Sequence, residues 1–481
     1  MTDVHSPSSG ARLAWFSPFP PVKTGVAAVS AGLVAALEAR GHAIDRYPDT
    51  AAHDFPWRHR QRPYDVIVYQ FGNSSHHDYA WPYALRYPGL AVLHDTRLHH
   101  ARAALLLREK RRDDYRRELA WSEPDLNPDA AELAVAGFDS RLYYEWPMVR
   151  GLVVASRLVA VHGDATRREL VEALSTPNSA NPNSANPNSA SPNSQNDLTE
   201  RIVSIRLGHG ELVSAEQEAA ARHTVRARYG IPRDAVVFGV FGGLTPEKRL
   251  PQILEAFRAV RDYAPDARLL LGGAEASHFS LDPFRAADGV FVTGYIEDAE
   301  LTDHIAAVDV SVNLRWPTAR ETSGPWLRAL AAGKPTVVTE LLQLIDVPTL
   351  DPRTWQVNAA APGHRTSDIG PVAIAIDIVD EDHSLRLAMR RLALDPALRA
   401  SLGRAARTYW EREHSLDAMT DDYEKLLRLA HPAHLEHPAH LAHPAHHAHL
   451  AHPTHLRTSG DEKLRALLAP FGIESPLPRH P

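Results

Sequence analysis

Short apolar runs alternate with amphipathic stretches over most of the chain. In its first part, "LAWF", "DVIVYQFG", "LAVLHD" and "LVVASRLVAVHG" have the length and composition of buried strands. The stretch "VAAVSAGLVAALEARGH", which follows the first of them, has the period of a helix. Strands that alternate with helices in this way predict a parallel sheet covered by helices.

A second series of the same kind follows in the later part of the chain. It contains the strand patterns "AVVFGVFGG", "ARLLLGG", "GVFVTGY" and "PTVVTEL", with helical patterns between them and two more at the end. The sequence therefore predicts an α/β protein with two α/β domains of similar size, at 11–205 and 206–412, and a closing helix at 413–430. Ligands of open α/β sheets bind at the carboxyl ends of the strands, so we expect the functional site in a cleft between the two domains.

Two low-complexity tracts interrupt this pattern. A Pro-Asn-Ser repeat covers 176–197, and a tail rich in His and Pro covers 431–481. The Pro-Asn-Ser tract has no apolar residues to bury, so we expect a flexible loop or linker there, a low-complexity tail at the end of the chain, and a disordered N-terminus at 1–10. The prolines of the tail prevent a helix that would fix metal ligands, so we interpret it as repeat expansion and expect no metal site.

Composition narrows the class of protein. The chain has 52 Lys and Arg against 59 Asp and Glu, a net charge of −7, which gives no basic field for a nucleic acid. It has no cysteine, which excludes disulfides and thiol catalysis. We find neither a signal-peptide pattern nor about 18 consecutive apolar residues, and we expect a cytoplasmic protein. The stretch "ARAALLLREKRRDDYRREL" is a solvated helix or, alternatively, a contact with anionic lipid or a charged acceptor.

The segment "FGGLTPEKRLPQILEAF" places two cations at the start of a helix. Pro251 fits only the first turn, so we expect the helix to begin near Leu250, with Lys248 and Arg249 at its N-terminus. Cations there oppose the helix dipole, whereas an anionic ligand such as a diphosphate would make them favourable. The alternative is a pair of solvated surface charges.

The segment "RETSGPWLRALAAGKPT" predicts a second helix with a similar N-terminus. Ser323 can cap it, Gly324 allows a close approach of the backbone, and Pro325 fits its first turn. Gly333 ends it. Glu321, just before the helix, suits the hydroxyls of a sugar better than a phosphate. By itself the segment also fits a capped core helix with no ligand.

In the first part of the chain, polar residues follow predicted strands. Gly25 lies in a Pro-rich loop after the first strand, where a backbone approaches a ligand, and we place it on the donor side of the site. His94 and Asp95 end the strand "LAVL", with His99 about one turn further on. A single His is more often structural than catalytic, and the residues alone leave both roles open for His94.

In their order, the Gly25 loop, "VLHD", "FGGLTPEKR", "VTGYI" and "ETSGPWLRALAAGKPTVVT" resemble group 1 retaining glycosyltransferases of the GT-B fold. The similarity extends over most of 11–430, outside the two repeats. "NLRWPTARETSG" is similar to a bacterial branch that assembles cell-surface polysaccharides. The resemblance implies two Rossmann-like domains facing across a cleft, with the 413–430 helix crossing back to the first.

The resemblance assigns the donor to the second domain. It implies that Lys248 binds the donor diphosphate, with Arg249 as a helper. It places Thr322, Ser323 and Gly324 against the donor sugar and phosphates at the start of their helix.

Other positions carry over from the same family. The backbone near Tyr295 and Ile296 resembles the strip that receives the nucleobase. His94 matches a histidine that faces the transferred sugar, and we name it and Glu321 as the catalytic candidates. Asp95 and His99 are expected on the acceptor side.

Two positions depart from the family pattern. Gly243 stands where the family usually has an arginine. The family often carries two glutamates eight positions apart, the second of which holds the ribose. When the chain is aligned on "AAGKP", Arg320 stands at the first glutamate position and Arg328 at the second, and Glu321 is displaced by one residue. When it is aligned on Glu321, Ala329 stands at the second glutamate position. A guanidinium only donates, so Arg328 cannot accept from ribose. We keep Gly243 and Arg328 on the donor side, where Arg328 could hold phosphate.

The expected reaction is transfer of a sugar from a nucleotide-diphosphate sugar to a glycan or lipid-linked acceptor, with retention and without a metal or other cofactor. The resemblance implies that the leaving phosphate helps to deprotonate the acceptor. We expect a cytoplasmic protein with possible contact to the inner face of the membrane and no nucleic-acid partner, and the sequence does not define the oligomeric state. Alternatives are an epimerase, hydrolase or polymerase of the same fold, and a non-catalytic protein that binds sugar nucleotides or glycans.

Overall fold

The computed structural model describes residues 10–138, 142–175, 200–276, 279–358 and 364–431. The predictions for 1–9, for the Pro-Asn-Ser repeat and for the tail beyond 431 lie outside these ranges.

The chain divides into two compact units that separate between Ile205 and Arg206. The first unit comprises Met1–Ile205, the tripeptide Ala319–Glu321 and the chain from Thr420 onwards. The second comprises Arg206–Thr318 and Thr322–Met419. Each unit contains its own sheet, as the two series of strand patterns predict.

The first unit is built on a parallel sheet of six strands in the order β2-β1-β3-β4-β5-β6. The strands are β1 Arg12–Phe16, β2 Ala43–Tyr47, β3 Val66–Phe71, β4 Leu90–Leu93, β5 Leu158–His162 and β6 Ile202–Ile205. The helices are α1 Gly25–Ala39, α2 Phe55–Gln61, α3 Trp81–Arg86, α4 His99–Arg108, α5 Arg112–Ser122, α6 Asp129–Val135, α7 Leu142–Glu145, α8 Arg150–Ala155 and α9 Asp164–Ser175. All residues of β3, β4 and β5 are buried, as expected for the middle of a sheet that helices cover on both faces.

The second unit has a sheet of eight strands in the order β13-β12-β14-β11-β10-β7-β8-β9, parallel except for β13. The strands are β7 Val237–Phe241, β8 Arg268–Gly272, β9 Val290–Gly294, β10 Val310–Asn313, β11 Thr336–Thr339, β12 Thr349–Leu350, β13 Val357–Asn358 and β14 Ala373–Ile376. The helices are α10 Ala215–Arg228, α11 Leu250–Arg261, α12 Asp282–Arg285, α13 Asp298–Ala307, α14 Gly324–Ala331, α15 Glu381–Leu394 and α16 Pro396–Glu413.

The closing helical patterns differ in detail from the prediction. The segment that starts near His383 forms two helices, α15 and α16, because Pro396 cannot continue α15 and starts a new helix, which Asp395 caps. The last helix, α17, runs over Leu416–Ala430 rather than from 413. From Thr420 it belongs to the first unit. There the ring of Tyr423 is fully buried and stacks on Trp15 of β1, with the ring centroids 5.7 Å apart.

The basic stretch after His99 forms α4 and α5 rather than one helix. The break falls at Lys110, which has a positive φ of 60°. Within the described chain, none of the helices combines the length and the apolar character needed to span a bilayer.

Candidate functional site

The strand order of the second unit reverses between β7 and β10. From β7 the chain passes through α11 to β8 on one side, and from β10 it passes through α14 to β11 on the other. The helices α11 and α14 therefore start next to each other at the carboxyl ends of two adjacent strands. Such a reversal leaves a crevice, which is where open α/β sheets bind ligands. The two segments singled out in the sequence both lie there.

Lys248 points back to this reversal. It ends a short 3₁₀ turn, Pro246–Lys248, and its ammonium Nζ donates to the backbone carbonyl of Phe241 at 2.7 Å. Gly242 follows Phe241 with a φ of +93°, and a Cβ atom on it would come within 3.0 Å of Pro325 and 3.6 Å of the Lys248 ammonium. Lys248 and the first turn of α14 therefore meet over a residue that must be glycine.

Helix α14 has the ends that the sequence predicts. The Ser323 hydroxyl accepts from the backbone N–H of Trp326 at 3.4 Å, and Gly333 follows the helix with a φ of +64°. The buried Trp326 indole donates to the Thr336 hydroxyl at 3.1 Å and fixes the helix to β11. The first-turn N–H groups and the positive end of the dipole thus point at the strand reversal, beside Lys248.

Arg249 lies at the predicted helix start but faces a carboxylate of its own unit. It adopts a left-handed conformation, with a φ of 59°, directly before α11. Its guanidinium donates to both oxygens of the buried Glu381, at 2.5 to 3.0 Å. This hydrogen bonding raises the pKa of Arg249. The negative charge of Glu381 therefore compensates the positive charge of Arg249 at the helix N-terminus. A diphosphate would have to compete with Glu381 for Arg249.

Arg328 is also engaged within the second unit. Its Nε donates to Nε2 of His209 at 3.0 Å and its Nη2 donates to Oδ1 of Asp298 at 2.5 Å. Only 10% of the Arg328 side chain is exposed, against 68% for Asp298. The predicted contact of Arg328 with phosphate is therefore opposed by two existing partners.

Three further donor-side candidates differ in what they can offer. Gly243 is exposed, and a Cβ on it would meet nothing within 4 Å, so the missing arginine is not excluded by space. The side chain of Tyr295 is 46% exposed, whereas Ile296 is 9% exposed and its side chain packs in the core. Only the backbone of Ile296 can therefore face a nucleobase.

In the first unit, the strand order reverses between β1 and β3. Gly25 begins α1 directly after β1, and Thr24 caps this helix by accepting from the N–H of Ala27 at 3.1 Å. Gly25 is exposed, with nothing within 4 Å of a Cβ. Its position at the reversal fits an approach to a ligand, and its donor-side role stays a prediction.

His94 lies at the end of β4 in a hydrogen-bonded network that spans three strands. Its Nε2 is 2.7 Å from Oε1 of Gln70 on β3, and its Nδ1 is 3.3 Å from Nε2 of His162 on β5. Because an amide oxygen only accepts, Nε2 of His94 carries the proton and Nδ1 accepts from His162. Burial, with His162 and His77 nearby, lowers the pKa of His94 well below its usual value. Both ring nitrogens of a neutral His94 are thus occupied by protein.

This network limits the chemistry that is open to His94. A general base must offer a nitrogen lone pair to the substrate. The Nδ1 lone pair of His94 faces His162 instead, and Gln70 in turn contacts the Tyr423 hydroxyl at 3.2 Å. His94 can face a sugar through its ring edge or its backbone, but this geometry does not make it a proton acceptor.

The two residues expected on the acceptor side, Asp95 and His99, lie in different environments. Asp95 is half-buried, and its Oδ2 accepts from the backbone N–H of Asn73 at 2.6 Å, which fixes the loop after β3. His99 is 1% exposed and its Nε2 is 2.8 Å from the Tyr115 hydroxyl. The burial of His99 contradicts its predicted contact with an acceptor, and the ring packs between α4 and α5.

Glu321 belongs to the tripeptide that joins the first unit. Its Oε2 accepts from the backbone N–H of Ala319 at 2.9 Å. The neighbouring Arg320 donates to both oxygens of Glu169 on α9, each at 3.1 Å, and Arg97 donates to the same carboxylate at 2.5 Å. The tripeptide is thus fixed immediately before Thr322 and the Ser323 cap. Whether Glu321 contacts a sugar stays a prediction.

The second unit also carries a family match. Residues 235–349, which include Lys248 and the whole of α14, match the family described as glycosyl transferases group 1. A search of curated proteins by sequence finds no match.

Solved structures resemble most of the chain. HepE of Anabaena, in complex with UDP and glucose, has 13% identity and a TM-score of 0.51, covering 87% of this chain and 99% of that one. Sucrose-phosphate synthase of Thermosynechococcus elongatus has 14% identity and a TM-score of 0.52, covering 87% and 98%. WaaG, a glycosyltransferase of lipopolysaccharide biosynthesis, has 14% identity and a TM-score of 0.50, covering 86% and 99%.

The chain has the GT-B fold. Its two parallel sheets with helices are the two Rossmann-like domains of that fold, as the sequence predicts. The family match over 235–349 and the GT-B fold together support a glycosyltransferase.

Many charged side chains of the basic stretch on α4 and α5 form ion pairs. Arg116 pairs with Asp113 at 2.8 Å and with Glu132 at 2.6 Å, and Arg111 pairs with Asp114 at 2.8 Å. This favours the solvated-helix interpretation over a lipid contact. Within the described ranges, no group of three His, Asp or Glu side chains is placed to hold a metal ion. The His-rich tail lies outside these ranges.

Several residues at the two strand edges were missed by sequence reasoning. In the first unit they are Gln70, His77 and His162. The sequence gave a signal only for Gln70 and His162, which are polar residues in the apolar strands "VIVYQF" and "VAVH". In the second unit His209 and Glu381 lie far in sequence from the residues they hold, so no local pattern could have indicated them.

Proposed function

We propose that the chain is a retaining glycosyltransferase that moves a sugar from a nucleotide-diphosphate sugar to a glycan or lipid-linked acceptor. One observation carries the proposal: the Lys248 ammonium and the N-terminus of α14 converge over Gly242 at the strand reversal. A cation and several N–H dipoles in one place suit a diphosphate. The UDP in the HepE complex is a ligand of this kind.

The same convergence suits the transition state. As the bond from the sugar to the diphosphate breaks, negative charge builds on the leaving phosphate and positive charge on the sugar ring. Lys248 and the α14 N–H groups stabilise the former, and they are already in place before the reaction. The Lys248 ammonium and the helix N–H groups thus supply the positive charge that a metal ion would otherwise supply, and the proposal requires no metal.

Retention, which the resemblance implies, requires the acceptor to attack the face of the sugar from which the diphosphate leaves. His94 has both nitrogens bonded within the protein and a lowered pKa, so it is not the base. The leaving phosphate takes the proton of the acceptor hydroxyl on the same face of the sugar, as the resemblance implies. In this proposal His94 and Glu321 orient the transferred sugar.

The proposed setting is the assembly of cell-surface polysaccharide on the cytoplasmic side, with possible peripheral contact to the inner membrane. The sequence similarity of "NLRWPTARETSG" to a branch with that role supports it. WaaG, which the fold resembles, acts in lipopolysaccharide biosynthesis.

Purified protein incubated with UDP-, GDP- and ADP-sugars tests the proposal. Proton NMR follows loss of donor and release of the nucleoside diphosphate, and the anomeric signal of the first product reports retention. We expect turnover of one donor by the native chain and almost none by Lys248→Ala. Tight binding of a sugar nucleotide with no turnover in the presence of acceptor glycans would contradict the enzyme and favour a non-catalytic binding protein.

A further inference from the structure

We infer that Asp298 accepts hydrogen bonds from the ribose hydroxyls of the donor nucleotide, in a subsite that Arg328 and His209 hold in place. The inference rests on the proposed function and adds a determinant of specificity to it. It would make the protein select ribonucleotides over deoxyribonucleotides.

A chain of close contacts leads from the start of α14 to this carboxylate. A Cβ on Gly324 would lie 3.2 Å from Cδ2 of His209, so the imidazole lies against the backbone at the helix N-terminus. The adjacent ring atom of His209, Nε2, accepts from Nε of Arg328 at 3.0 Å. Arg328 follows Gly324 by about one helical turn, and its side chain leans back towards the N-terminus.

The last link joins Arg328 to Asp298. Nη2 of Arg328 donates to Oδ1 of Asp298 at 2.5 Å, and the arginine is 10% exposed while the aspartate is 68% exposed. The buried Arg328 thus holds the exposed Asp298 carboxylate in place. His209 stays neutral at physiological pH, because burial next to Arg328 lowers its pKa to about 4. It can therefore keep its lone pair on the arginine.

The chemistry of a nucleotide fits this order of groups. In a nucleoside diphosphate the ribose lies between the diphosphate and the base, and its two hydroxyls need acceptors. A guanidinium only donates, whereas a carboxylate has about four acceptor positions, of which Arg328 takes one. Asp298 begins α13, three residues after Tyr295, which is 46% exposed and near which the resemblance places the nucleobase. On this assignment the carboxylate lies between the diphosphate end and the base end of the site.

A purely structural role for Asp298 makes a different prediction. An aspartate at the first position of a helix is favoured by the dipole, and this one also neutralises Arg328. Neither effect depends on the sugar of a bound nucleotide. A comparison of nucleotides that differ only in one hydroxyl separates the two roles.

The experiment is isothermal titration of the full chain. UDP, GDP and ADP identify the nucleotide that binds, and its 2′-deoxy and 3′-deoxy forms are then titrated into native protein, Asp298→Asn and Asp303→Asn. Asp303 is an exposed carboxylate on the same helix and serves as the matched control. Lys248→Ala is titrated with the same set.

We expect native protein and Asp303→Asn to bind the ribonucleotide about tenfold more tightly than a deoxy form, the size of one charge-assisted hydrogen bond. Asp298→Asn should lose about that factor for the ribonucleotide and bind all forms alike. Lys248→Ala should weaken every form by the same factor. Discrimination that persists in Asp298→Asn overturns the inference and leaves the proposed function intact. Failure of native protein to bind any of the three ribonucleotides overturns both.

Discussion

The ammonium of Lys248 lies 2.7 Å from the carbonyl oxygen of Phe241, the last residue of a central strand. The contact spans seven residues of loop and 3₁₀ turn and brings a cation back to the edge of the sheet. A lysine without a function there would be better hydrated if it pointed to solvent. The position instead suits a preorganised cation that stabilises negative charge as it develops on the leaving phosphate.

The first prediction concerns this ammonium. Replacing Lys248 with Ala should lower kcat/KM for donor consumption about 100-fold or more, because one preorganised donor to a developing anion is lost. Lys248→Arg should keep part of the activity, since the charge remains. Steady-state assays with the donor that the NMR screen selects measure both. Lys425→Ala, which removes a lysine that is 62% exposed and pairs with Asp422, is the control and should leave the rate unchanged. An equal loss in both variants would contradict the proposed role.

The second prediction concerns Gly243. Its φ is not in the left-handed region and a Cβ would meet no atom within 4 Å, so Gly243→Arg should fold normally. The added guanidinium follows Gly242 at the strand reversal, and it should tighten binding of a nucleoside diphosphate by about threefold to tenfold. Isothermal titration measures the change. Gly370→Arg, at an exposed glycine that is equally unhindered, should not alter the affinity. Weaker binding by Gly243→Arg would show that this position does not face the diphosphate.

Much of the fold followed from periodicity. The start of α11 at Leu250 and both ends of α14 were predictable from residues with strong positional preferences. Pro251 and Pro325 are tolerated only in the first turn of a helix, Ser323 favours the N-cap, and Gly333 favours the position just after the C-terminus. The alternation of strands and helices indicated two parallel sheets for the same reason.

The polar contacts of the site were not predictable. Glu381 binds Arg249 across 132 residues, and His209 binds Arg328 across 119. Side chains so far apart in sequence meet only through the order of strands in the sheet, which local patterns do not encode. The hydrogen-bond partners of His94 were not predictable for the same reason, since Gln70 and His162 lie on neighbouring strands.

The third prediction tests the His94 network. Gln70→Glu places a carboxylate against Nε2–H of His94, which should raise the pKa of the imidazole by stabilising its charged form. A charged His94 can no longer accept from His162, so activity of the variant should fall as the pH decreases through the neutral range. The native protein should show no such fall, because its His94 stays neutral. Histidine NMR signals and rates between about pH 6 and 8 measure both effects.

Gln61→Glu is the control for this third prediction, since Gln61 is exposed at the end of α2. It should leave both the histidine signals and the pH profile unchanged. A pH profile of Gln70→Glu identical to that of the native protein would contradict the assignment of Nε2–H to the Gln70 contact.

The fourth prediction concerns the dependence of stability on pH. Burial lowers the pKa of His77 to about 4, below the value of about 6.5 expected in the unfolded chain. The folded state therefore binds fewer protons between these values, so its free energy of unfolding is largest above pH 6.5 and falls as the pH decreases towards 4. One such histidine contributes about 1.4 kcal/mol per pH unit.

Urea unfolding of native protein and His77→Gln at pH 7 and pH 5 isolates this contribution, because the other titrating groups are common to both. The variant should lose about 2 kcal/mol less than native protein between the two pH values. His76→Gln changes the exposed neighbour and should behave as native protein. A variant that loses as much as native protein would show that His77 titrates normally.

The last prediction concerns Glu169, which receives hydrogen bonds from both Arg97 and Arg320. Burial alone would raise the pKa of Glu169, but the two arginines lower it, and the Arg97 side chain is only 7% exposed. Glu169→Gln removes the carboxylate charge that both arginines contact, which should reduce the free energy of unfolding by about 3 kcal/mol. Hydrogen exchange should also rise at Ala319–Glu321, because Arg320 loses its anchor next to the Ser323 cap, and kcat/KM should fall with it. Glu132→Gln, in an exposed pair with Arg116, should cost less than about 1 kcal/mol and leave exchange at the tripeptide unchanged. Equal stability losses in the two variants would contradict the view that the buried pair fixes the segment before α14.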